Sequence, residues 1–403
     1  MIPFSPPFVD EDVIKEVTDS LNSGWITTGP KVKALEEEVA AYTGVSNALC
    51  VNSMTSGLML MLRWFGVEAG DEVIVPAYTY SATALAVMNI GGTPVMVDIE
   101  DDFSISVDKI REAINERTKV IVPVDIAGWP CDYDAINALV RDPEIVSLFS
   151  PSNEAQRKLG RIVVISDSAH SIGACYKGKK TGLLTDVTIF SFHAVKNVTT
   201  AEGGGICLNL PKPFDNQEVY DFLRVYSLNG QTKDAFTKTK AGGWRYDIIY
   251  QGLKINMPDI CAAIGLVQLK KYNDDLLKER KRVFEHYNDI FSVYDWAILP
   301  PYENEERRSS CHIYPLRIKE ITEEQRDEII DHITEEGVSV NVHFVPMPML
   351  TLFKNEGFDI NDYPNTFKQY KGEISLPIYP QLTDREVSIV GDAVIKSYQK
   401  VVC

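Results

Sequence analysis

The sequence of 403 residues contains no apolar run long enough to cross a membrane as a helix. Its longest apolar runs, at 73–77 and 162–165, are far shorter than the roughly 20 residues that a bilayer requires. The first seven residues lack the basic start and the apolar stretch of a secretory signal, so we expect no signal peptide. These absences predict a protein with no membrane partner.

Basic residues are scarce, because 40 Lys and Arg stand against 57 Asp and Glu, for a formal net charge of −17. Proteins that hold nucleic acid by its phosphates depend on clustered Lys and Arg, which release counterions on binding. We therefore expect no nucleic-acid partner.

Cysteine is infrequent and scattered, with seven residues and no Cys-x-x-Cys spacing. The seven are Cys50, Cys131, Cys175, Cys207, Cys261, Cys311 and Cys403. Such a pattern fits neither a disulfide framework nor a zinc site. The sequence therefore predicts reduced thiols in a cytoplasmic protein, and no metal site.

An ordinary globular composition is present, with 45% apolar and 24% charged residues, and helical and strand patterns alternate from about residue 31 to 210. The strand-like runs are mostly continuous in apolar residues, as in strands covered by helices on both faces. This predicts a three-layer α/β/α domain with a mostly parallel sheet. The predicted helices are 31–42, 56–65, 81–89 and 132–140, and the predicted strands are 73–77, 94–98, 119–124, 162–166, 187–192 and 205–209.

The pattern divides the chain into an N-terminal segment over 1–30, a large domain over 31–290 and a small C-terminal α/β domain over 291–403. Residues 141–160 are polar and rich in turn formers, and we interpret them as a surface insertion. The 211–252 stretch is irregular, and is either an interaction loop or a poorly packed crossover. A helix is predicted over 258–293. The small domain is predicted to contain strands over 313–318 and 338–345, a helix opened by Thr322 and Gln325, and a last helix opened by Thr383 and Glu386.

Three predicted strands are followed by residues that could carry chemistry, at the sheet edge where ligands bind. Small hydroxyl residues at 52–56 precede a helix, and they either cradle a phosphate or simply cap the helix. Asp167, with His170 three residues on, either holds a cationic ring nitrogen or serves as a turn residue. Lys196 is either a desolvated Schiff-base amine or a solvated surface charge.

Together these three sites match the needs of pyridoxal phosphate (PLP). Its aldehyde requires an amine, its protonated pyridine nitrogen requires an anion, and its phosphate requires a helix start. The combination favours a PLP site over the separate interpretations of these residues as a helix cap, a turn residue and a surface charge.

The segment from Asp167 to Gly204, which includes Ser191, Lys196 and Glu202, resembles the signature of the DegT/DnrJ/EryC1/StrS aminotransferases. Further similar segments follow in family order at 23–30, 76–83, 92–98, 256–263, 342–346 and 376–380. The resemblance implies a fold-type I, aspartate aminotransferase-like enzyme with a large PLP-binding domain and a small C-terminal domain. It also implies that the 1–30 segment contributes to the active site.

The resemblance also implies roles for individual residues. Lys196 would form the Schiff base and move the proton, and Asp167 would pair with the pyridinium nitrogen. The other cofactor contacts would be His170 at the phenolic oxygen, Tyr80 stacked on the ring unless it is a plain core aromatic, and Met54, Thr55 and Ser191 at the phosphate. Asn256 would reach the phosphate of the partner subunit's cofactor, which implies a homodimer with shared active sites.

Substrate contacts are implied for Trp25, Thr27 and His343, with a packing tryptophan and a satisfied strand histidine as equal alternatives. His312 is interpreted as structural. Lys240, Arg245 and Lys254 are candidates for binding nucleotide phosphates against the acidic background.

The implied reaction moves an amino group from glutamate onto a keto sugar nucleotide, for amino-sugar biosynthesis in lipopolysaccharide or another cell-surface glycan. One alternative is amination of a cyclitol or another non-nucleotide ketone. A dehydratase of the same fold would carry His in place of Lys196, and a non-catalytic regulator would lack the cofactor residues, so Lys196 disfavours both.

The sequence departs from the family pattern at four positions. Met54 and Ala201 stand where the family usually has Gly, Asp125 where His is common, and Cys311 where an aromatic residue is frequent. The Lys196 and Asp167 pair is intact, so the departures bear on substrate preference rather than on cofactor chemistry.

Overall fold

The computed structural model describes residues 1–232 and 245–402, and its main element there is a seven-stranded sheet in the order β1-β9-β8-β5-β4-β2-β3. Strands β1, β9 and β8 pair antiparallel, and every other neighbouring pair is parallel. This confirms the predicted mostly parallel α/β class. The strands are β1 (Asn47–Val51), β2 (Glu72–Pro76), β3 (Thr93–Val97), β4 (Thr118–Ile121), β5 (Val163–Asp167), β8 (Val187–Ser191) and β9 (Gly204–Leu208).

Helices cover both faces of this sheet. Alternate residues of a strand point to opposite faces, and in β1 they pack in two different apolar clusters. Leu49 and Val51 pack in one cluster with the helix Met54–Trp64, whereas Ala48 and Cys50 pack in another with Pro30–Thr43 and Asp259–Lys271. The remaining helices of the first 230 residues are Glu11–Asn22, Ala82–Asn89, Val107–Ala113, Tyr133–Leu139, Pro143–Leu148, Glu154–Leu159 and Asn216–Tyr226.

A second antiparallel sheet orders β10 (Ala297–Ile298), β12 (Tyr314–Ile318) and β13 (Glu373–Leu376). Its apolar face packs against the helices Leu277–Phe291, Glu323–Glu335 and Asp384–Val402, and Ile2 joins the same cluster. The short helices Thr351–Asn355 and Pro364–Lys371 connect these elements, and β11 (Arg307–Arg308) pairs with β6 (Cys175–Tyr176), which pairs with β7 (Lys179–Lys180).

Both capping predictions of the C-terminal region hold in the structure. The side chain of Thr322 accepts from the Gln325 amide while Gln325 accepts from the Thr322 amide. Thr383 and Glu386 make the same reciprocal pair of hydrogen bonds. Each box satisfies two amides that have no acceptor within the helix.

The predicted strand over 338–345 is wrong. This segment makes only isolated bridges, between Ile2 and Val338 and between Asn341 and Ser375, and β13 takes the place beside β12. The amide of His343 donates to the Glu373 carboxylate at 3.0 Å instead of to a backbone carbonyl. A side-chain acceptor therefore ends the ladder and turns the chain toward the cavity described below.

One other expectation needs correction. The stretch 211–252 is not irregular throughout, since Asn216–Tyr226 is a helix with Leu223 buried. The predicted helix over 258–293 is confirmed, with a π-helical turn at Tyr272–Leu276 between Asp259–Lys271 and Leu277–Phe291. The 141–160 segment, interpreted above as a surface insertion, contains two short helices whose buried residues include Ile145 and Gln156.

Among the described residues, none of the helices combines the length and the apolar character that crossing a membrane requires.

Candidate functional site

A cavity of about 390 Å³ opens where β5 and β8 end, the sheet edge at which ligands of parallel sheets bind. It collects residues from sequence-distant segments. Eight of the predicted site residues line it: Met54, Thr55, Tyr80, Asp167, His170, Ser191, Lys196 and His343.

Asp167 is the last residue of β5 and is 5% exposed. Its Oδ2 accepts a hydrogen bond of 2.8 Å from the Thr83 hydroxyl, and its Oδ1 accepts the Ala169 amide at 3.2 Å. Burial raises the pKa of Asp167 to about 6, although both hydrogen bonds and the Lys196 charge lower it. A cation placed against this carboxyl would stabilise its ionised form.

Lys196 follows β8 in the loop between β8 and β9, and its side chain lines the cavity. The surrounding protein lowers the pKa of Lys196 to about 8, and the Asp167 charge opposes this effect. An amine with this pKa is unprotonated in part near neutral pH. It can therefore act as a nucleophile or accept a proton.

The helix Met54–Trp64 presents its N-terminus to the cavity. Ser53 caps it by accepting from the Ser56 amide at 3.1 Å, and the amides of Met54 and Thr55 have no acceptor within the helix. Gly204 allows this close approach, because a Cβ at this position would lie 2.7 Å from the Met54 nitrogen. These amides and the Ser191 hydroxyl, which line the same cavity, could hold an anion such as a phosphate.

His170 lies against the floor of the cavity and is 5% exposed. Its ring centroid is 4.3 Å from that of His312, and its Nδ1 has no hydrogen-bond partner within the described part of the chain. Burial, reinforced by Lys196 and His343, lowers the pKa of His170 well below its usual value, so the ring is neutral. A buried ring nitrogen of this kind fits a polar atom of a bound group.

His312 also lines the cavity, and its contacts support the structural interpretation. Its Nδ1 lies 2.8 Å from Oδ1 of Asn197, the residue after Lys196. The Asn197 amide in turn donates to the Tyr272 hydroxyl at 2.9 Å and to the Ser310 carbonyl at 2.9 Å. This buried network fixes the loop that carries Lys196.

Asp125, one of the departures from the family pattern, is fully buried behind Asp167. Its two oxygens accept hydrogen bonds from Tyr133 and the Cys131 amide, and from Ser168 and Ser171 at 3.0 and 2.6 Å. The carboxylate therefore holds the turn that follows Asp167, on which His170 lies.

Trp25, Thr27 and Asn256 do not line this cavity within the chain. They lie close together, because Asn256 donates to Thr28 at 2.5 Å while Trp25 donates from Nε1 to the Thr28 carbonyl at 3.2 Å. Arg245 and Lys254 are exposed nearby in sequence, and Lys240 lies outside the described residues.

Sequence reasoning missed several lining residues. Thr83 contacts Asp167, and this contact depends on how the helix Ala82–Asn89 packs. One indication of such a role is present in the sequence, since Thr83 is the last residue of the family-like segment 76–83. Phe4 and Ser5 reach the cavity from the N-terminus, where Phe4 stacks on His343 at 5.4 Å between centroids. Nothing in the local sequence of 1–7 indicates this.

Comparison with known proteins identifies the family of the chain. The model of the DegT/DnrJ/EryC1/StrS aminotransferase family matches residues 7–395. The chain is 36% identical over 402 residues to the spore coat polysaccharide biosynthesis protein SpsC of Bacillus subtilis, covering 98% of this chain and 96% of SpsC.

Two solved structures are similar over nearly their whole length. Spr1654 of Streptococcus pneumoniae, assigned as a sugar aminotransferase and solved in PLP and pyridoxamine phosphate (PMP) forms, matches in its PMP form with a TM-score of 0.96 and 43% identity, covering 100% of both chains. PseC of Helicobacter pylori, an aminotransferase of pseudoaminic acid biosynthesis, matches with a TM-score of 0.86 and 27% identity, covering 99% of both chains.

Proposed function

Because the chain belongs to the DegT/DnrJ/EryC1/StrS aminotransferase family, and is thus a PLP-dependent sugar aminotransferase, we propose that it transfers an amino group from glutamate to a keto sugar carried on a nucleotide. The observation that carries this proposal is the meeting of the Lys196 amine and the Asp167 carboxyl in one cavity beside a free helix N-terminus. The similarity to SpsC and PseC supports a product destined for a cell-surface glycan.

The described residues fit the cofactor. The orphaned Nδ1 of His170 suits the phenolic oxygen of the ring, Asp167 suits the ring nitrogen, and the amides of Met54 and Thr55 suit the phosphate. When bound, PLP supplies an electron sink for the electrons left behind when a proton leaves the substrate carbon. Tyr80, which lines the cavity and is 62% exposed, would cover the ring, and Ser191 would add a phosphate contact.

Lys196 is the general base of the proposed reaction. Its lowered pKa would let the amine accept a proton from the substrate carbon near neutral pH and release it again within the cavity. Asp167 would stay ionised against a protonated ring nitrogen, because the two opposite charges would stabilise each other. The chain thus places Asp167 at the end of β5 and the base in the loop after the neighbouring strand β8.

We propose a homodimer in which each subunit completes the other's site. Supporting this, Ile26, Tyr246, Ile248, Ile249 and Tyr250 are large apolar side chains that are 40–53% exposed. They belong to the same two stretches of chain as Trp25, Thr27 and Asn256, which do not line their own cavity. Contact between two such surfaces would bring Asn256 toward the partner's phosphate and Trp25 and Thr27 toward the partner's substrate.

The nucleotide phosphates are proposed to bind at the exposed cations Arg245 and Lys254, which lie near this surface in sequence. Local cations are required because the chain as a whole carries a formal charge of −17. We also propose a cytoplasmic location, supported by free thiols at the six described cysteines.

The test is the reverse reaction. A panel of amino-sugar nucleotides is incubated with 2-oxoglutarate, and the formation of glutamate is measured. We expect turnover with at least one nucleotide sugar and none with the same sugar lacking its nucleotide. Turnover on an aminocyclitol with none on any nucleotide sugar would overturn the proposed substrate class and establish the cyclitol alternative.

A further inference from the structure

Three hydrogen-bonding side chains connect the cavity to the C-terminal sheet. His343 lines the cavity, and its Nδ1 lies 2.9 Å from the Ser375 hydroxyl. That hydroxyl lies 2.5 Å from Oε1 of Glu373 on β13, and the other oxygen of Glu373 accepts the His343 amide at 3.0 Å. Glu373 therefore contacts His343 directly at its backbone and through Ser375 at its ring.

The ring of His343 is neutral, because burial and the Lys196 charge lower the pKa of His343 to about 4. A neutral imidazole has one N–H donor and one acceptor nitrogen, and its partners decide which nitrogen carries the hydrogen. Since Nδ1 faces Ser375, the state of Nε2 depends on the direction of that hydrogen bond.

The state of Glu373 fixes this direction. An ionised Glu373 only accepts, so Ser375 donates to it and accepts from Nδ1–H, which leaves Nε2 as an acceptor. A protonated Glu373 donates to Ser375, which then donates to Nδ1, so the hydrogen of the ring lies on Nε2. The two states differ by one proton, on Glu373, and by the tautomer of His343.

We propose that Glu373 is a positioning residue that selects, through Ser375, the tautomer of His343 and thereby whether Nε2 donates to or accepts from the sugar. The tautomer selection stands on the structure alone, and its role in sugar recognition rests on the function proposed above. A donating Nε2–H suits any sugar oxygen, including a carbonyl or ether oxygen, whereas an accepting Nε2 requires a hydroxyl or amino hydrogen. Glu373 would therefore set which sugar oxygens the enzyme can recognise.

Charged and titratable groups surround Glu373 on each side. Arg317 on β12 and Arg326 on the helix Glu323–Glu335 favour its ionised form, and the Tyr78 hydroxyl lies near it and donates to the His343 carbonyl at 2.7 Å. Burial outweighs the two cations and raises the pKa of Glu373 to about 8. Both states of Glu373 are thus accessible near neutral pH.

Around the His343 ring, the titratable groups are Lys196 and the two neutral rings of His170 and His312. The charge on Lys196 disfavours a cationic His343. Among the described residues Ser375 is the hydrogen-bond partner of the His343 ring, and Lys196 acts on that ring through its charge.

The test is the tautomer of His343, read from long-range ¹H–¹⁵N correlations of protein labelled with ¹⁵N-histidine between about pH 6 and 10. The chain has six histidines, and His343→Asn identifies the signal. In the wild type we expect Nε2–H at low pH and Nδ1–H at high pH. In Glu373→Gln the amide mimics the protonated acid by accepting the His343 amide and donating to Ser375, so we expect Nε2–H throughout.

Two further variants complete the design. Ser375→Ala removes the relay, and we expect its His343 tautomer to stop following pH. Glu356→Gln, which removes an exposed carboxylate, should follow the wild type at every pH. A His343 tautomer that is the same in the wild type, Glu373→Gln and Ser375→Ala over the whole range overturns the proposal, and Ser375→Ala alone decides the question if Glu373→Gln does not fold.

The NMR experiment uses no substrate, so its outcome is independent of whether the substrate class proposed above is right. With an accepted substrate, KM of Glu373→Gln should match the wild type below pH 7 and differ from it on the order of three- to tenfold above pH 8. Equal KM values at both pH extremes would limit Glu373 to a role outside sugar recognition.

Discussion

The hydroxyl of Thr83 donates a hydrogen bond of 2.8 Å to Oδ2 of Asp167, joining the first turn of the helix Ala82–Asn89 to the end of β5. This donor lowers the pKa of a carboxyl that burial raises to about 6. Thr83 therefore favours the ionised form of Asp167, the form that a protonated ring nitrogen requires.

Replacing this donor should weaken cofactor binding. In Thr83→Val the pKa of Asp167 rises further, and we expect the Kd for PLP, measured by absorbance titration, to increase about tenfold, equivalent to roughly 1.4 kcal/mol. Thr18→Val, which removes an exposed helical hydroxyl bonded to the Ile14 carbonyl, is the matched control. Unchanged PLP affinity in Thr83→Val would show that Asp167 is held ionised by other groups.

Lys196→Ala should remove the visible absorption band that PLP gives when bound to a lysine, and lower turnover by about 10³-fold or more. The reason is that Lys196 is the amine and the proton carrier of the site. Lys354→Ala, at an exposed lysine of the C-terminal region, should keep both properties. Persistence of the band in Lys196→Ala would place the Schiff base on another lysine.

Asp125→Asn should destabilise the protein by roughly 2–4 kcal/mol. The substitution replaces one carboxylate oxygen by an NH2 group, which cannot accept the hydrogen bonds that Tyr133, Ser168 and Ser171 now donate to the carboxylate. Urea unfolding of the cofactor-free protein measures the change. Asp134→Asn replaces an exposed carboxylate and should change the free energy of unfolding by less than about 0.5 kcal/mol. Equal stability of the two variants would contradict the hydrogen-bonding role of Asp125.

Stability should fall with rising pH because of Glu36. Burial raises the pKa of Glu36 to about 7 even though it accepts from the Cys50 amide and the Tyr220 hydroxyl, whereas the unfolded chain ionises this residue near 4.5. The folded state therefore retains a proton that the unfolded state loses, and Glu36 contributes its full stability below about pH 4.5.

Between pH 5 and 8 the free energy of unfolding of the wild type should fall relative to that of Glu36→Gln by roughly 2 kcal/mol, since one pKa unit corresponds to about 1.4 kcal/mol. Glu37→Gln, at an exposed neighbour, should keep the wild-type dependence. Parallel pH profiles for the wild type and Glu36→Gln would mean that Glu36 ionises normally in the folded state.

The proposed dimer predicts that Ile249→Asp yields monomers in sedimentation velocity, because burying an unpaired carboxylate in an apolar interface costs several kcal/mol. Loss of the dimer should also lower activity, since Asn256 would no longer reach a partner's site. Ile389→Asp changes an apolar residue that is 41% exposed on the last helix and should leave the oligomeric state unchanged. If Ile249→Asp is still a dimer, this surface is not part of the dimer interface.

The sequence by itself determined the fold class and indicated the candidate site residues. Strand runs and helix caps follow local rules, so β5, β8 and the helix starts at Thr322 and Thr383 were predicted within about two residues. Asp167 and Lys196 could be proposed from local pattern because each follows an apolar strand run, whereas Ser191 was proposed from the family resemblance.

Tertiary structure alone decided which distant groups meet. The contacts of Thr83 with Asp167, of Phe4 with His343 and of Ser375 with His343 each join residues more than 30 positions apart, and no local pattern predicts them. The predicted strand at 338–345 failed for the same reason, because the Glu373 carboxylate takes the His343 amide from the ladder. The pKa values of the site and the tautomer of His343 depend on burial and on side-chain hydrogen bonds that exist only in the folded protein. They are therefore properties of the packed structure.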